Sequence, residues 1–155
     1  MPDAYDRPIS PLSPHLFVSN AAAAIEFYKK AFSAEELARH PAPDGKRLMH
    51  AALLINGSTL MLCDDFPEYN GGKASTPEAF GGTPVVLHLQ VAEADPVFQR
   101  AVDAGATVIM PLADQFWGDR YGQVADPFGH KWSIGARVRN VTEAEVQEAA
   151  KAQFS

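Results

Sequence analysis

The sequence predicts an α+β fold made of two βαβββ modules, each a strand, a helix and three further strands. Three observations support this prediction. The stretch YKKAFSA at 28–34 matches FQRAVDA at 98–104 in character at nearly every position. NGSTLML at 56–62 matches FGHKWSI at 128–134, with Gly57 opposite Gly129. Strand and helix signals also follow the same order in both halves. Internal self-similarity indicates a repeated unit, and 155 residues suit one domain.

The first module, at about residues 9–65, opens with a predicted strand at 15–19. A helix follows with Asn20 as its N-cap, because an asparagine side chain can accept a hydrogen bond from a free N–H of the first turn. Its apolar positions recur at helical spacing: Ile25, Tyr28, Ala31 and Phe32. PDGK and NG predict the turns between the remaining three strands, which are expected at 35–40, 47–55 and 58–63.

The second module, at about residues 84–138, repeats this order. A strand is predicted at 85–91, and a helix then begins near Pro96 and ends at Gly105 as its C-cap residue. The apolar stripe of this helix consists of Val97, Phe98, Ala101 and Val102. The last three strands are expected at 107–112, 121–125 and 130–138.

Two further segments complete the chain. The connection at about 66–83 lies in a stretch rich in glycine and proline, DDFPEYNGGKASTPEAFGGT, and loops of this length in a compact domain are typically functional lids or linkers. A final amphipathic helix at about 142–153 is predicted from a capping box, in which Thr142 is followed by Glu145 three positions later.

Charge and hydropathy exclude several classes of partner. The formal net charge of −6 argues against a nucleic-acid-binding face, which is usually basic, and against docking on an anionic membrane. No apolar run approaches the roughly 20 residues of a membrane span. The first residues lack the charged and then apolar pattern of a secretory signal, and the lone Cys63 cannot form an internal disulfide. We therefore expect a cytoplasmic protein without membrane or nucleic-acid partners.

Four stretches carry a resemblance to a known family: AIEFYKKAF, HAALLINGSTLMLCD, RAVDAGATVIMP and FWGDRYGQVADPFGHKWSI. Over about residues 9–138 the chain resembles the vicinal oxygen chelate superfamily, and within it the PhnB-like, glyoxalase-like branch. The superfamily includes glyoxalase I, extradiol dioxygenases, fosfomycin-resistance enzymes and bleomycin-binding proteins. The resemblance implies a single glyoxalase-like domain over 1–155, in which a curled mixed sheet surrounds an open cleft. It also implies a homodimer, with modules paired within or between chains.

The resemblance does not extend to the metal ligands of the superfamily. Metal-dependent members carry inward-facing His, Glu, His and Glu on four strands, and these positions fall here on Ser13, Ala52, Val86 and Ser133. None of these four is a strong metal ligand, so we expect no metal at the family positions. Glyoxalase I and extradiol dioxygenase chemistry depend on such ligands, and neither activity is expected here.

Strand alternation places His15, His50 and His88 on the cup face, each two residues from a vacant ligand position. Two interpretations stay open. The histidines either line a polar pocket together with Phe17 and Ser133, or they converge as a three-histidine site for zinc or another divalent ion. In an enzyme, His50 and His88 are the candidate catalytic acid–base groups. Alternation in the strand at 47–55 also predicts Leu48 on the cup face and Met49 on the helix face.

The stretch FWGDRYG is expected at the rim of the pocket. Trp117 offers a flat apolar wall, and the Arg120 guanidinium suits a carboxylate or phosphate. Asp119 either holds a ligand hydroxyl or pairs with Arg120, in which case Trp117 packs on a dimer partner. The predicted ligand-binding set is therefore His15, Phe17, His50, His88, Trp117, Asp119, Arg120 and Ser133.

Neighbouring polar residues receive structural roles. In DPFGH, Asp126, Pro127 and Gly129 suit a hairpin turn, and His130 is expected to be exposed at a strand end. Carboxylates beside Cys63 are expected to raise the pKa of its thiol, which argues against a nucleophilic role. The run formed by Asp64, Asp65 and Glu68 suits a solvated loop or a weak cation site.

Three classes of function remain. The first is a lyase- or isomerase-type enzyme that acts on a small polar molecule through the cup histidines. The second is a non-catalytic, antibiotic-like small-molecule binder that resembles bleomycin-resistance proteins, and the negative net charge suits a cationic ligand. A third possibility is an interaction role for the dimer, through the loop at 64–83.

Overall fold

The computed structural model describes residues 9–155, so the first eight residues of the predicted domain lie outside it. The first module comprises β1 (His15–Val18), α1 (Ala21–Phe32), β2 (Glu35–Pro41), β3 (Leu48–Ile55) and β4 (Ser58–Asp64). The connection contains a 3-10 turn (Pro67–Tyr69) and the one-turn helix α2 (Pro77–Phe80). The second module comprises β5 (Val86–Gln90), α3 (Ala94–Ala104), β6 (Thr107–Asp114), β7 (Asp119–Ala125) and β8 (Lys131–Arg137), and α4 (Glu143–Phe154) follows.

The two modules have the same topology, which confirms the predicted repeat. The first sheet has the order β1-β4-β3-β2 and the second has the order β5-β8-β7-β6. The pairs β1/β4 and β5/β8 are parallel, and the other pairs in each sheet are antiparallel. The sheets are not closed, and within residues 9–155 no hydrogen-bonded strand pair joins one sheet to the other.

Helix α1 is fixed at its start by two side chains. Asn20 accepts a hydrogen bond from the Ala23 N–H at 3.1 Å, which confirms the predicted N-cap. Asp64, at the end of β4, accepts from the Ala21 N–H at 2.9 Å and from the Leu48 N–H at 2.7 Å. Asp64 is therefore a buried structural carboxylate and not part of a solvated loop. Its negative charge at the first turn of α1 also interacts favourably with the positive end of the helix dipole.

An aromatic cluster joins the two modules on their helix side. The Trp132 ring on β8 lies 5.4 Å from the Tyr28 ring and 4.7 Å from the Phe32 ring, measured between ring centres. Phe27 contacts Phe128 in the same way at 6.4 Å. All five side chains are buried, so apolar area from both modules is removed from water at one shared core. This core fixes how the modules sit against each other.

One prediction of strand orientation is wrong. Leu48 is buried in the core on the helix side, whereas Met49 is 56% exposed. The reason is an irregularity in the β2/β3 pairing, in which His40 is opposite His50 but Pro41 is opposite Leu48. The extra residue in β3 forms a bulge, and a bulge interrupts the alternation of faces. His50 stays on the face without the helix, as predicted.

The connection and the last helix have defined contacts. A Cβ on Gly129 would lie only 2.8 Å from Pro77 Cβ, so α2 packs closely on the β7–β8 turn. Thr142 and Glu145 form the predicted capping box of α4. That helix buries no side chain fully, and only one stripe that includes Val146 is half-buried. Across residues 9–155, no helix is long and apolar enough to cross a membrane.

Candidate functional site

Polar and aromatic side chains gather on the face of each sheet that lies away from its helix. The first open face includes Phe17 and Cys63 with their neighbours His15, His40, His50, Ala52 and Met61, which the strand registers place on one side. The second open face is formed by His88, Gln90, Tyr121, Gln123 and Ser133. The two sets lie on different sheets, so the site residues predicted from the sequence divide between two surfaces.

His88 is the centre of the second open face and is held from both ring nitrogens. Its Nδ1 lies 2.7 Å from Ser133 Oγ, and its Nε2 lies 2.8 Å from Gln90 Oε1. An amide oxygen only accepts hydrogen bonds, so with Gln90 in this orientation the proton is on Nε2 and the Ser133 hydroxyl donates to Nδ1. His88 is exposed while Ser133 is 2% exposed. The buried hydroxyl thus orients an imidazole that a ligand can reach.

Gly135 on β8 provides the space for this imidazole. A Cβ at Gly135 would lie 3.0 Å from His88 Cε1 and 3.4 Å from Gln90 Oε1. Such a distance to a carbon is tighter than ordinary van der Waals contact, so any larger residue would displace the ring. The glycine is visible in the sequence, but only the pairing of Gln90 with Gly135 in the sheet shows which side chains it makes room for.

A row of rings extends from His88 across the sheet. The Tyr121 ring stacks on His88 at 5.9 Å between ring centres and 19° between planes. Trp117 meets Tyr121 edge-on at 5.5 Å. Gln123 Nε2 donates to the Tyr121 hydroxyl at 3.0 Å. Flat apolar surface therefore lies beside hydrogen-bonding groups, an arrangement typical of small-molecule sites.

Asp119 and Arg120 do not pair with each other. Arg120 lies on the opposite side of β7 from Tyr121, and its guanidinium binds Asp95 at 2.8 and 3.1 Å and Asp114 at 3.2 Å. Hydrogen bonding to Arg120 lowers the pKa of Asp95. Arg120 is thus engaged with the start of α3, away from the second open face.

Asp119 supports the position of Trp117 instead. Its buried Oδ1 lies 3.0 Å from Arg137 Nε, an ion pair without hydrogen-bond alignment. Arg137 also donates from Nη1 to the Trp117 carbonyl at 2.9 Å. The Asp119–Arg137 pair therefore fixes the turn that carries the Trp117 ring.

The first open face carries a second row of rings, three of them imidazoles. His15 stacks on Phe17 at 5.7 Å and meets His50 edge-on at 6.1 Å, and His40 lies 5.6 Å from His50. Burial lowers the pKa of His50, and the charges of His15 and His40 lower it further. His40 was absent from the predicted site. The sequence feature that could have indicated His40 is its position across the β2–β3 hairpin from His50.

His88 lies on the second sheet, whereas His15 and His50, with which it was predicted to converge, lie on the first. In residues 9–155 no three His, Cys, Asp or Glu side chains are arranged ready to hold a metal ion. A site formed by His15, His50 and His88 stays a prediction.

The four positions aligned with the superfamily's metal ligands do not fit a metal ion. The Ser13 hydroxyl is hydrogen-bonded to the Ser10 carbonyl at 3.0 Å and to the Thr59 hydroxyl. Ser133 Oγ is engaged with His88. Ala52 and Val86 have no donor atom in their side chains. This donor set lacks the carboxylates and imidazoles that such ions require.

Two cavities adjoin these faces. A groove of about 450 Å³ runs between the modules along β5, and Ser13, Thr59, Val86 and His88 are among its lining residues. A smaller cavity of about 220 Å³ lies where α2 and its flanking residues cover the His15 and Phe17 end of the first open face.

His130 borders the smaller cavity. Its Nε2 lies 2.9 Å from the Phe17 carbonyl oxygen, and the residue is half-buried. The prediction that His130 is exposed is therefore wrong, because this contact across the modules covers the ring.

Cys63 has no features of a nucleophile. It is buried, and burial together with the charges of Asp64 and Asp65 raises the pKa of its thiol to about 11. The predicted direction is confirmed, although burial is the larger cause. The thiolate, which is the reactive form, is scarce at neutral pH.

Comparison with known proteins gives consistent results. Residues 9–134 match the model of the Glyoxalase/Bleomycin resistance protein/Dioxygenase superfamily. An uncharacterized protein of Mycobacterium tuberculosis is 61% identical over 142 residues, which cover 92% of this chain and 83% of that protein. TioX from Micromonospora sp. ML1 is similar in structure, with a TM-score of 0.64 and 29% identity over 83% of this chain and 98% of TioX. The PhnB protein from Bacillus cereus shares the fold at a TM-score of 0.64 and 20% identity, over 82% of this chain and 99% of that protein.

Proposed function

Because the chain belongs to the Glyoxalase/Bleomycin resistance protein/Dioxygenase superfamily, we propose that its second open face binds a small planar ligand, without a metal at the family positions. The observation that carries this proposal is His88, held over Gly135 by Ser133 and Gln90. A side chain fixed by two hydrogen bonds and still exposed is pre-organised for a ligand, so little rotamer entropy is lost on binding.

The chemistry of the face favours a ligand with a flat ring and hydrogen-bonding edges. Tyr121 and Trp117 offer ring surfaces, and Gln90 and Gln123 offer amides. The net charge of −6 belongs to the chain as a whole. On this face Asp119 is paired with Arg137, so local selection rests on hydrogen bonds and stacking more than on net charge.

A screen of planar heteroaromatic compounds, followed by tryptophan fluorescence, tests the proposal. Trp117 is half-exposed beside the site and Trp132 is buried in the core, so a compound at the site should quench the Trp117 signal. Tyr121→Ala should weaken binding roughly 3- to 10-fold, because a ring pair contributes about 0.5–1.5 kcal/mol.

Arg120→Ala is the matched control, since Arg120 neighbours Tyr121 on the same strand but occupies its opposite face. It should leave the affinity unchanged. Equal affinities for the Tyr121→Ala variant and the wild type, with every compound that binds, would overturn the assignment of this face.

A second candidate is an acid–base enzyme, favoured by the array of Ser133, His88 and Gln90. Imidazole within hydrogen-bond reach of a hydroxyl and of a third orienting group is a common arrangement for a general base. Ser133 is 2% exposed, so it acts here as a positioning residue and not as a nucleophile. For His88 to accept a ligand proton at Nε2, the exposed Gln90 amide would move aside and the neutral ring would change tautomer, so that Nδ1–H donates to Ser133 Oγ.

Exchange in deuterium oxide separates the binder from the enzyme. A compound that binds is incubated with the protein, and loss of its C–H signal is followed by nuclear magnetic resonance. Catalysed exchange that disappears in His88→Gln supports the enzyme. Tight binding without exchange at any pH between 6 and 9 supports a non-catalytic binding protein.

The homodimer and the cytoplasmic location also remain proposals. Val86, Val108 and Met110 are exposed apolar residues on strands of the second sheet, which is consistent with a surface that a second copy covers. Light scattering on the purified chain tests the dimer, and cell fractionation tests the location.

A further inference from the structure

We propose that a cavity between the β2–β3 hairpin and the connection binds a flat aromatic cation, meaning fused aromatic rings that carry a protonated amine. This hairpin cavity has a volume of about 550 Å³, and its lining includes Asp44, Arg47, Met49, Phe66 and Tyr69. Small-molecule sites typically have volumes of about 300–1,000 Å³. The inference goes beyond the proposed function, because the described residues that line this cavity belong to neither open face.

The walls of the hairpin cavity are apolar and accessible. The rings of Phe66 and Tyr69 lie 6.1 Å apart between their centres, with 41° between their planes. Met49, which the bulge in β3 turns outwards, is exposed, and so is Tyr69. A flat ligand that covers these side chains removes apolar surface from water, which favours binding.

Arg47 joins the two walls before any ligand arrives. Its guanidinium carbon lies 4.2 Å from the centre of the Phe66 ring. Its Nε donates to Asp44 Oδ2 at 2.7 Å within the hairpin, and its Nη2 donates to Glu68 Oε1 at 2.6 Å in the connection. Nη1 donates to the Asp65 carbonyl at 3.3 Å. Because these contacts already hold the hairpin against the connection, binding costs less conformational entropy.

The tip of the hairpin is also fixed by its own hydrogen bonds. The Ala42 N–H donates to the Arg47 carbonyl at 2.7 Å. Asp44 Oδ1 accepts from the N–H groups of Lys46 and Arg47, both at 2.9 Å. A carboxylate that holds its own turn in this way keeps the rim of the cavity in one conformation.

Charge at the cavity selects the class of ligand. Arg47 engages all three of its side-chain nitrogens with oxygens of this chain, so an anionic ligand would have to compete with them. Hydrogen bonding to Arg47 lowers the pKa of Asp44 to about 2 and also lowers the pKa of Glu68. Both carboxylates are therefore ionised at neutral pH, and together they exceed the single charge of Arg47. The exposed Tyr69 ring adds a face that attracts cations.

The test uses two three-ring probes of opposite charge on the full chain at pH 7.5. Proflavine is a flat cation, and 9-anthracenecarboxylate is a flat anion of similar size. Fluorescence titration measures both affinities, and the shifts of amide nuclear magnetic resonance signals locate the site. We expect proflavine to shift the signals of residues 43–47 and 66–69, and to bind about fivefold or more tightly than the anion.

Two variants should weaken the binding of proflavine. Tyr69→Ala removes a ring wall and should weaken it roughly 3- to 10-fold. Glu68→Gln keeps an oxygen that can accept from Arg47 but removes one charge, so it should weaken binding roughly two- to fivefold. Both residues are exposed, and these variants should retain the fold, which far-ultraviolet circular dichroism checks.

Phe80→Ala is the matched control, because Phe80 is also an exposed aromatic residue of the connection but does not line the hairpin cavity. It should bind proflavine like the wild type. Three results would overturn the inference: no shifts at 43–47 and 66–69, equal affinities of Tyr69→Ala and Phe80→Ala, or tighter binding of the anion. Shifts around His88 and Tyr121 report the proposed function instead, so the two proposals succeed or fail separately.

Discussion

Tyr28 donates a hydrogen bond to Asp126 across 2.5 Å, and this contact ties the helix of the first module to the last turn of the second. The same carboxylate oxygen accepts from Trp132 Nε1 at 2.9 Å, and its other oxygen accepts from the N–H groups of Phe128 and His130. Burial raises the pKa of Tyr28 well above its usual value, and the Asp126 charge raises it further. The hydroxyl therefore stays a proton donor at neutral pH, and one turn residue orients both modules.

Removing this hydroxyl should destabilise the fold. Tyr28→Phe deletes a buried hydrogen bond to a carboxylate, so the free energy of unfolding should fall by about 1.5–3 kcal/mol. Urea unfolding measures the change. Tyr69→Phe is the control, because Tyr69 is 85% exposed and its variant should unfold like the wild type. Equal stability of the two variants would show that the contact between modules is energetically neutral.

Gly135→Ala should disturb His88 without unfolding the protein. The new Cβ would lie 3.0 Å from His88 Cε1, and the exposed ring can move away. Nitrogen chemical shifts of the His88 ring should then lose the signature of the Ser133 hydrogen bond. In contrast, Gly122→Ala places a Cβ 2.9 Å from the Met110 carbonyl oxygen, which the backbone holds in place. That variant should lose about 1–3 kcal/mol of stability, as overpacking typically does.

The free energy of unfolding should decrease as the pH is lowered, and His50 should account for part of this decrease. Its pKa is lowered from the usual 6.5, so the folded state prefers the neutral ring more than the unfolded state does. This contribution is present above pH 6.5 and is lost as the pH falls through the lower folded value. Urea unfolding at pH 7.5 and 5.5 should show a larger loss for the wild type than for His50→Gln. Parallel losses in the two proteins would contradict the prediction.

Cys63 should resist alkylation while the chain is folded. Raising the pKa of its thiol from 9.0 to about 11 reduces the thiolate fraction at pH 8 roughly 100-fold, and burial slows access further. Iodoacetamide labelling followed by mass spectrometry should be at least that much slower in buffer than in concentrated urea. Because the folded pKa is raised, the associated stability is complete below pH 9 and is lost as the pH rises towards 11. Rapid labelling of the folded chain would contradict the assignment.

Local signals in the sequence were sufficient for the order of the elements in each module and for several helix ends, but not for the short helical turns of the connection or for the ends of β6 and β7. Asn20 caps its helix, Gly105 ends another, and the box of Thr142 and Glu145 begins the last. These features depend on hydrogen bonds between residues a few positions apart, which spacing alone reveals. The repeat followed from the same patterns, and it predicted two modules with one topology.

Alternation gave the face of most strand residues but not their partners. It placed His88 and Ser133 together correctly on one face, yet it failed at Leu48 and Met49 because a bulge shifts the pairing there. A bulge depends on how two strands fit, and no pattern in β3 alone indicates it. The predicted residues His88 and Ser133 thus lie together on one face of β5 and β8, whereas the prediction did not include His40 on β2.

By itself the sequence determined the two βαβββ modules and several of their caps and turns. Only the tertiary structure decided which side chains form hydrogen bonds and ion pairs with each other. It placed Asp126 on Tyr28, 98 positions away, and directed Arg120 to Asp95 instead of to Asp119. The physical reason is that hydrogen bonds and ring contacts depend on the distance and orientation of atoms, which register and module packing set together. Side-chain periodicity fixes only which face a residue occupies.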